Sequence, residues 1–160
     1  MKESPLKVEG YFFTHVDVRA NEKFDPDNAV PIELETDVDF LRNTEDAGQW
    51  QVILTVQVDG EKNSNSPYVA QIEVAGLFRH APVDDDDEDE SQLRRIIGAS
   101  APAILFSAAR EMYMIVASRG PWFPEVWPTV HFRDTIPTPQ EKKAAATNGK
   151  RKKKAESTSK

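Results

Sequence analysis

The side chains whose type and spacing stand out in this chain are rings, not acids, bases or nucleophiles. From Gly120 to Phe132 the sequence reads GPWFPEVWPTVHF, with Trp122, Phe123, Trp127 and Phe132 set among Pro121, Pro124 and Pro128. Proline lacks an N–H and fixes φ, which forbids a helix here and disfavours a central strand. An extended, ring-rich stretch is costly to leave in water, so it lies on an apolar surface or helps to form one. The chemistry it offers is contact with apolar and aromatic groups.

Bond-making chemistry has no residues here to carry it. The histidines His15, His80 and His131 stand alone, without the spacing of a ligand pair such as His-Glu-x-x-His, and read as structural or surface side chains. There is no cysteine, hence no disulfide or thiolate metal site, as expected of a reducing cytosol. With only 7 glycines there is neither a phosphate-cradling loop nor a nucleophile elbow. The run Asp84 to Glu90, DDDDEDE, could hold divalent cations loosely, but reads as a solvated, self-repelling loop. No cofactor, no metal and no enzymatic activity are expected.

The elements that must position the rings come next. Four segments alternate with a period near two, the mark of half-buried antiparallel strands. They run from Val8 to Val18, Pro31 to Leu41, Gln49 to Asp59 and Pro67 to Phe78. In the first, Phe12, Val16 and Val18 are placed on one face. The third is the cleanest, with Trp50, Val52, Leu54, Val56 and Val58 against Gln51, Thr55 and Gln57. Short polar links join them, which predicts an antiparallel meander with one apolar face in need of cover.

Helices supply that cover. Ser91 is placed as the N-cap of a short segment Gln92 to Ile97, ended by Gly98. Pro102 opens a longer helix to Ser118, with Gly120 as its stop and an apolar stripe through Ile104, Leu105, Ala108, Met112, Ile115 and Val116. Polar residues are scarce on its other sides too, which points to a second buried side and oligomerisation. The fold class is therefore α+β: a four-stranded antiparallel sheet covered by a long C-terminal helix and an aromatic crossover loop. Residues 1–7 are expected to be a flexible N-terminus, 8–136 the domain, and 137–160 a disordered basic tail.

Charge is divided between two regions. Residues 141–160 hold eight basic and two acidic side chains, leaving the other 140 residues with 12 basic and 25 acidic. So acidic a body repels phosphate, and only the tail could bind nucleic acid. No stretch approaches the roughly 20 apolar residues of a membrane span, and the chain opens without a secretory signal, so no membrane insertion and a cytoplasmic location are expected.

Several short pieces at consistent spacing resemble the SecB family of protein-export chaperones. They are Gly76-Leu77-Phe78, Pro102-x-Ile104-Leu105-Phe106, Ala109-Arg110-Glu111, and Ser118-Arg119-Gly120 followed by Phe123-Pro124. The resemblance implies a homotetramer, a dimer of dimers, that holds unfolded preproteins competent for export without ATP and passes them to the motor SecA. It places the client in grooves between the sheet and the connection after the long helix. Trp122, Phe123, Trp127 and Phe132 are then the candidate polypeptide-binding residues, with Phe78 and Tyr68. The family's acidic SecA-facing surface falls near Asp17, Asn21 and Gln71, with Glu73 close by, so one of those three positions is acidic. The acidic tail of the family is replaced by Lys150 to Lys154, KRKKK, and its second helix is interrupted by Pro137 and Pro139. Polypeptide binding thus carries over better than coupling to SecA. A chaperone dedicated to one partner such as an antitoxin, and a structural protein unconnected with SecA, are the rival readings.

Overall fold

A computed structural model of the 160-residue chain describes residues 4–80 and 87–132. The strands are β1 (Leu6–Ala20), β2 (Glu35–Arg42), β3 (Gln49–Val58) and β4 (Tyr68–His80), followed by one helix, α1 (Asp87–Ala117). All pairings are antiparallel and the spatial order is β1-β4-β3-β2. The α+β class with four antiparallel strands is as expected. The simple meander holds for β2, β3 and β4 only, because β1 crosses to the far edge and pairs with β4.

β3 and β4 form the centre, and their alternation makes the core. Trp50 lies opposite Phe78, Leu54 opposite Val74 and Val56 opposite Ile72, and all six side chains are buried. β2 begins at Glu35 rather than Pro31. Before it, the Asn63 side chain takes over the ladder's role: its Oδ1 accepts from Glu33 N at 2.7 Å and its Nδ2 donates to Glu33 O at 3.0 Å. Pro31 itself has no N–H to give to a ladder.

β1 differs most from its reading. Its register with β4 slips between Val8 and Gly10 and again between Phe13 and His15. Each extra residue flips the alternation. Phe13, not Phe12, therefore shares the core face with Val16 and Val18, and Phe12 points to the other side with 52% of its surface exposed. Leu6 is already in the strand and buried, so β1 begins two residues before Val8.

α1 is continuous where a break at Gly98 and a restart at Pro102 were expected. An interior proline costs roughly 3 kcal/mol and a glycine about 1. Against this, Leu93, Ile97, Ala101, Leu105, Ala109, Tyr113 and Ala117 form one unbroken stripe of four-residue steps, every member at most 5% exposed. Each large apolar side chain so buried is worth about 1.5–3 kcal/mol, so packing outweighs the local penalties. Ser91 is inside the helix rather than its cap, and the end of the acidic run, from Asp87, is helical. The buried stripe is rotated from the expected one, leaving Ile104 and Ile115 37% and 53% exposed. The rest of that acidic run, the extreme N-terminus and the basic tail lie outside the described residues.

Gly76 sets how closely helix and sheet approach. A Cβ built there would sit 2.8 Å from Leu105 Cδ2 and 2.6 Å from the Phe78 ring. Gly76→Ala is expected to lower stability by about 1–3 kcal/mol through overpacking. Urea denaturation measures it, and an unchanged midpoint would contradict this account of the contact.

Candidate functional site

After α1 the chain turns at Gly120, whose N–H donates to Ala117 O at 3.0 Å. A Cβ at Gly120 would run into the Tyr68 ring, so glycine is needed here for space. Tyr68 then clasps the next residue from both sides: its hydroxyl donates to Trp122 O at 2.7 Å and accepts from Trp122 N at 3.0 Å. The Trp122 indole donates to Asn21 O at 3.1 Å and packs edge-on to Phe24 at 5.4 Å. Proline-stiffened and held at Trp122, the segment has little freedom at its start.

Further along, the rings turn inward. Trp127 stacks on Tyr113 at 4.5 Å and lies 6.2 Å from Phe106, which meets Phe132 at 6.0 Å. Tyr68 stands edge-on to Tyr113 at 6.3 Å, so five rings run in sequence under the crossover. Tyr113 Oη and Trp127 Nε1 make no hydrogen bond among the described residues. Burial of the Tyr113 phenol pushes its pKa well up, so it stays neutral at any ordinary pH.

The residues expected to line an open groove therefore separate. Trp127, Phe132, Phe78 and Tyr68 are 1%, 6%, 0% and 2% exposed, which makes them core side chains of this chain. The hydrophobic gain of closing the single-chain core takes them first. Trp122 is half-buried, and Phe123 is 98% exposed, with Val126 beside it at 65%. Phe123 projects from an anchored backbone into water.

On the sheet face away from α1, Asp17 lies opposite Gln71, and His15 opposite Glu73. A shallow hollow of about 340 Å³ opens there, lined among others by Asp17, Gln71, Gln57 and Glu61. Asp17 accepts from Arg19 at 3.2 Å, and Glu73 accepts from the Thr14 hydroxyl. Asn21 does not join them. Its amide donates to Ser64 O and Ser66 O at 3.0 and 2.9 Å, bracing the turn after β1.

Sequence reasoning missed two apolar surfaces. Val8, Tyr11 and Val16, on the core side of the edge strand β1, keep 37%, 48% and 40% of their surface. On the opposite face Leu41, Ile53 and Leu77 are half-buried with Phe12 near them. The signal was there in apolar neighbours such as Phe12-Phe13, Phe40-Leu41 and Leu77-Phe78, since adjacent strand residues point to opposite faces. His80 is buried, with Nε2 3.3 Å from Ala47 O, and among the described residues no group of three potential ligands gathers to hold a metal ion.

At one end of the sheet Arg79 joins two elements, donating to Glu9 at 2.6 Å and Asp46 at 2.7 Å. These bonds hold both carboxyls below the usual carboxylate range. A lowered pKa gives stability that is present above the unfolded value and lost as pH falls through the folded one. Stability should thus decline on acidification from about pH 4, by a small, salt-sensitive amount because the groups are exposed. Arg79→Met should flatten this acid limb; identical thermal midpoints against pH in both proteins would contradict it.

This sheet of order β1-β4-β3-β2 under one long helix has a fold in common with a solved SecB-like chaperone. The SecB-like chaperone of Mycobacterium tuberculosis, solved in complex with a peptide from an antitoxin, superposes with a TM-score of 0.60 at 14% identity, over 79% of this chain and 91% of that one. The family model described as preprotein translocase subunit SecB matches residues 16–140, and the chain belongs to the SecB family. The protein-export protein SecB of Psychrobacter arcticus is 32% identical over 94 residues, 58% of this chain and 60% of the relative. That of Chromohalobacter salexigens is 36% identical over 81 residues, 51% and 46% respectively. The chain thus spans three fifths or less of the length of these relatives.

Proposed function

We propose that this protein is an ATP-independent chaperone that holds unfolded preprotein chains in a state competent for export. Two things support the reading: membership of the SecB family, and the placement of Phe123. Leaving a phenylalanine in water forgoes about 1.5–3 kcal/mol of burial, so its position serves contact with something other than this chain's own core. Unfolded clients share no sequence but all expose aromatic and aliphatic side chains. Phe123 and Val126, with the free edge of Trp122, offer such chains an apolar contact on a backbone that loses little entropy on binding. The buried rings Trp127, Phe132, Phe78 and Tyr68 support the segment from below.

Assembly is part of the proposal. β1 is a 15-residue edge strand, and Val8, Tyr11 and Val16 on it, with Ile104 and Ile115 on α1, leave apolar surface for further copies. An uncovered edge of this kind invites pairing. A homotetramer built as a dimer of dimers satisfies both strand and helix. Delivery to SecA draws less support from the chain: Asp17, Gln71 and Glu73 share a face, but Asn21 is occupied in a turn and Gln71 carries no charge. A cytoplasmic location follows from the same reading; no helix among the described residues is long and apolar enough to cross a membrane.

Phe123→Ala should weaken binding of a reduced, carboxymethylated model client about tenfold, near 1.4 kcal/mol, with the thermal midpoint unchanged. Trp127→Ala should instead cost about 3–5 kcal/mol of stability. Equal client affinity for wild type and Phe123→Ala, by fluorescence anisotropy, would sink the assignment. Light scattering should give the mass of four chains, and Tyr11→Glu with Val16→Lys should release smaller species. A wild-type mass of one chain would contradict the assembly.

A further inference from the structure

The face of the sheet turned away from α1 is uncovered by any described residue, and its charge is unbalanced. Asp37 and Asp39 on β2 are exposed and make no ion pair among the described residues, and neither does Glu73 on β4. Thr55 pairs with both Asp37 and Glu73, so these carboxylates lie in one row, two strand spacings or about 10 Å apart. Of the cations that the strands place on this face, Arg19 holds Asp17 and Arg79 holds Glu9 and Asp46, while Lys7 on β1 lies beside Arg79, at the edge of the sheet opposite β2. Next to the carboxylates runs the half-buried band of Leu41, Ile53 and Leu77.

One segment of this chain matches such a surface. Residues 141–160 carry eight basic side chains against two acidic ones, five of them consecutive from Lys150 to Lys154. The described chain stops at Phe132, buried beside Phe106 at the helix side of the sheet. The 18 residues from there to Lys150 can span about 60 Å when extended, against a sheet width of about 15–20 Å, so reach does not limit the contact. Lysine suits a face with both characters, since its aliphatic stem covers apolar surface while its ammonium meets a carboxylate.

We propose that the basic segment Lys142 to Lys154 docks on this chain's own outer sheet face, its cations over Asp37, Asp39 and Glu73 and its stems along the Leu41–Ile53–Leu77 band. The docked segment shields that face from other cationic partners, which must displace it to bind. The inference rests on charge and reach, and stands apart from the chaperone reading.

The absence of native cysteine allows a single nitroxide at Ser157→Cys in the full chain. At low salt the amides of Asp37, Asp39 and Glu73 should lose intensity relative to those of α1. Intensity should return at about 0.5 M salt, where the screening length falls to about 4 Å. It should also return in the Asp37→Asn, Asp39→Asn, Glu73→Gln variant. Broadening of another surface or of none, or broadening unchanged in that variant, overturns the proposal. So does broadening that appears only when label and isotope sit on different chains, which would assign the face to a second copy.

Discussion

The fit of α1 onto the centre of the sheet is the constraint on which everything else rests. β3 and β4 present a continuous wall of buried side chains from Trp50 to Val58 and from Tyr68 to Phe78. No sheet can leave such a face in water, and a single helix must cover it. Leu105 reaches the sheet because Gly76 has no Cβ, and the four-residue steps on either side of it carry the contact along the helix. The same demand holds α1 unbroken through Gly98 and Pro102. Glu90 secures its first turns, accepting from Arg42 at 3.0 Å and Arg94 at 2.7 Å, while Arg42 also lies over the Trp50 ring.

From that packing follows the conformation of the crossover. The C-terminal part of α1 delivers Tyr113 beneath Trp127 and brings Gly120 against Tyr68, whose hydroxyl fixes Trp122 in both directions. With Trp122 held by Tyr68 and Trp127 in the core, Phe123 is left 98% exposed between them. An exposed ring on a fixed backbone is thus a product of the fold's own closure, and the proposed binding of apolar chains draws on that contact alone.

Much of this was legible in the residues. The period of two in Gln49 to Val58 and Tyr68 to Phe78 shows the central strands, because both have one buried and one wetter face. The pieces Gly76-Leu77-Phe78 and Pro102 to Phe106 that carry the family resemblance are the two sides of one contact, so the fold could be read from them. The order of strands could not, since pairing of β1 with β4 leaves no local trace. Nor could the two irregularities in β1, which exchange Phe12 for Phe13. The prolines and rings of the aromatic segment show that it must meet apolar surface, but sequence alone could not say which rings close the core. That division depends on Tyr113, one helical residue whose partner Trp127 lies fourteen positions away.

Unfolded polypeptide is proposed to bind at the crossover segment. Hydrogen exchange of the full-length protein with and without a saturating unfolded client tests it most directly. The account predicts slower exchange in residues 122–127, around the exposed Phe123, with the amides of β3 unchanged. No added protection in that segment, with protection confined to another surface, would contradict it.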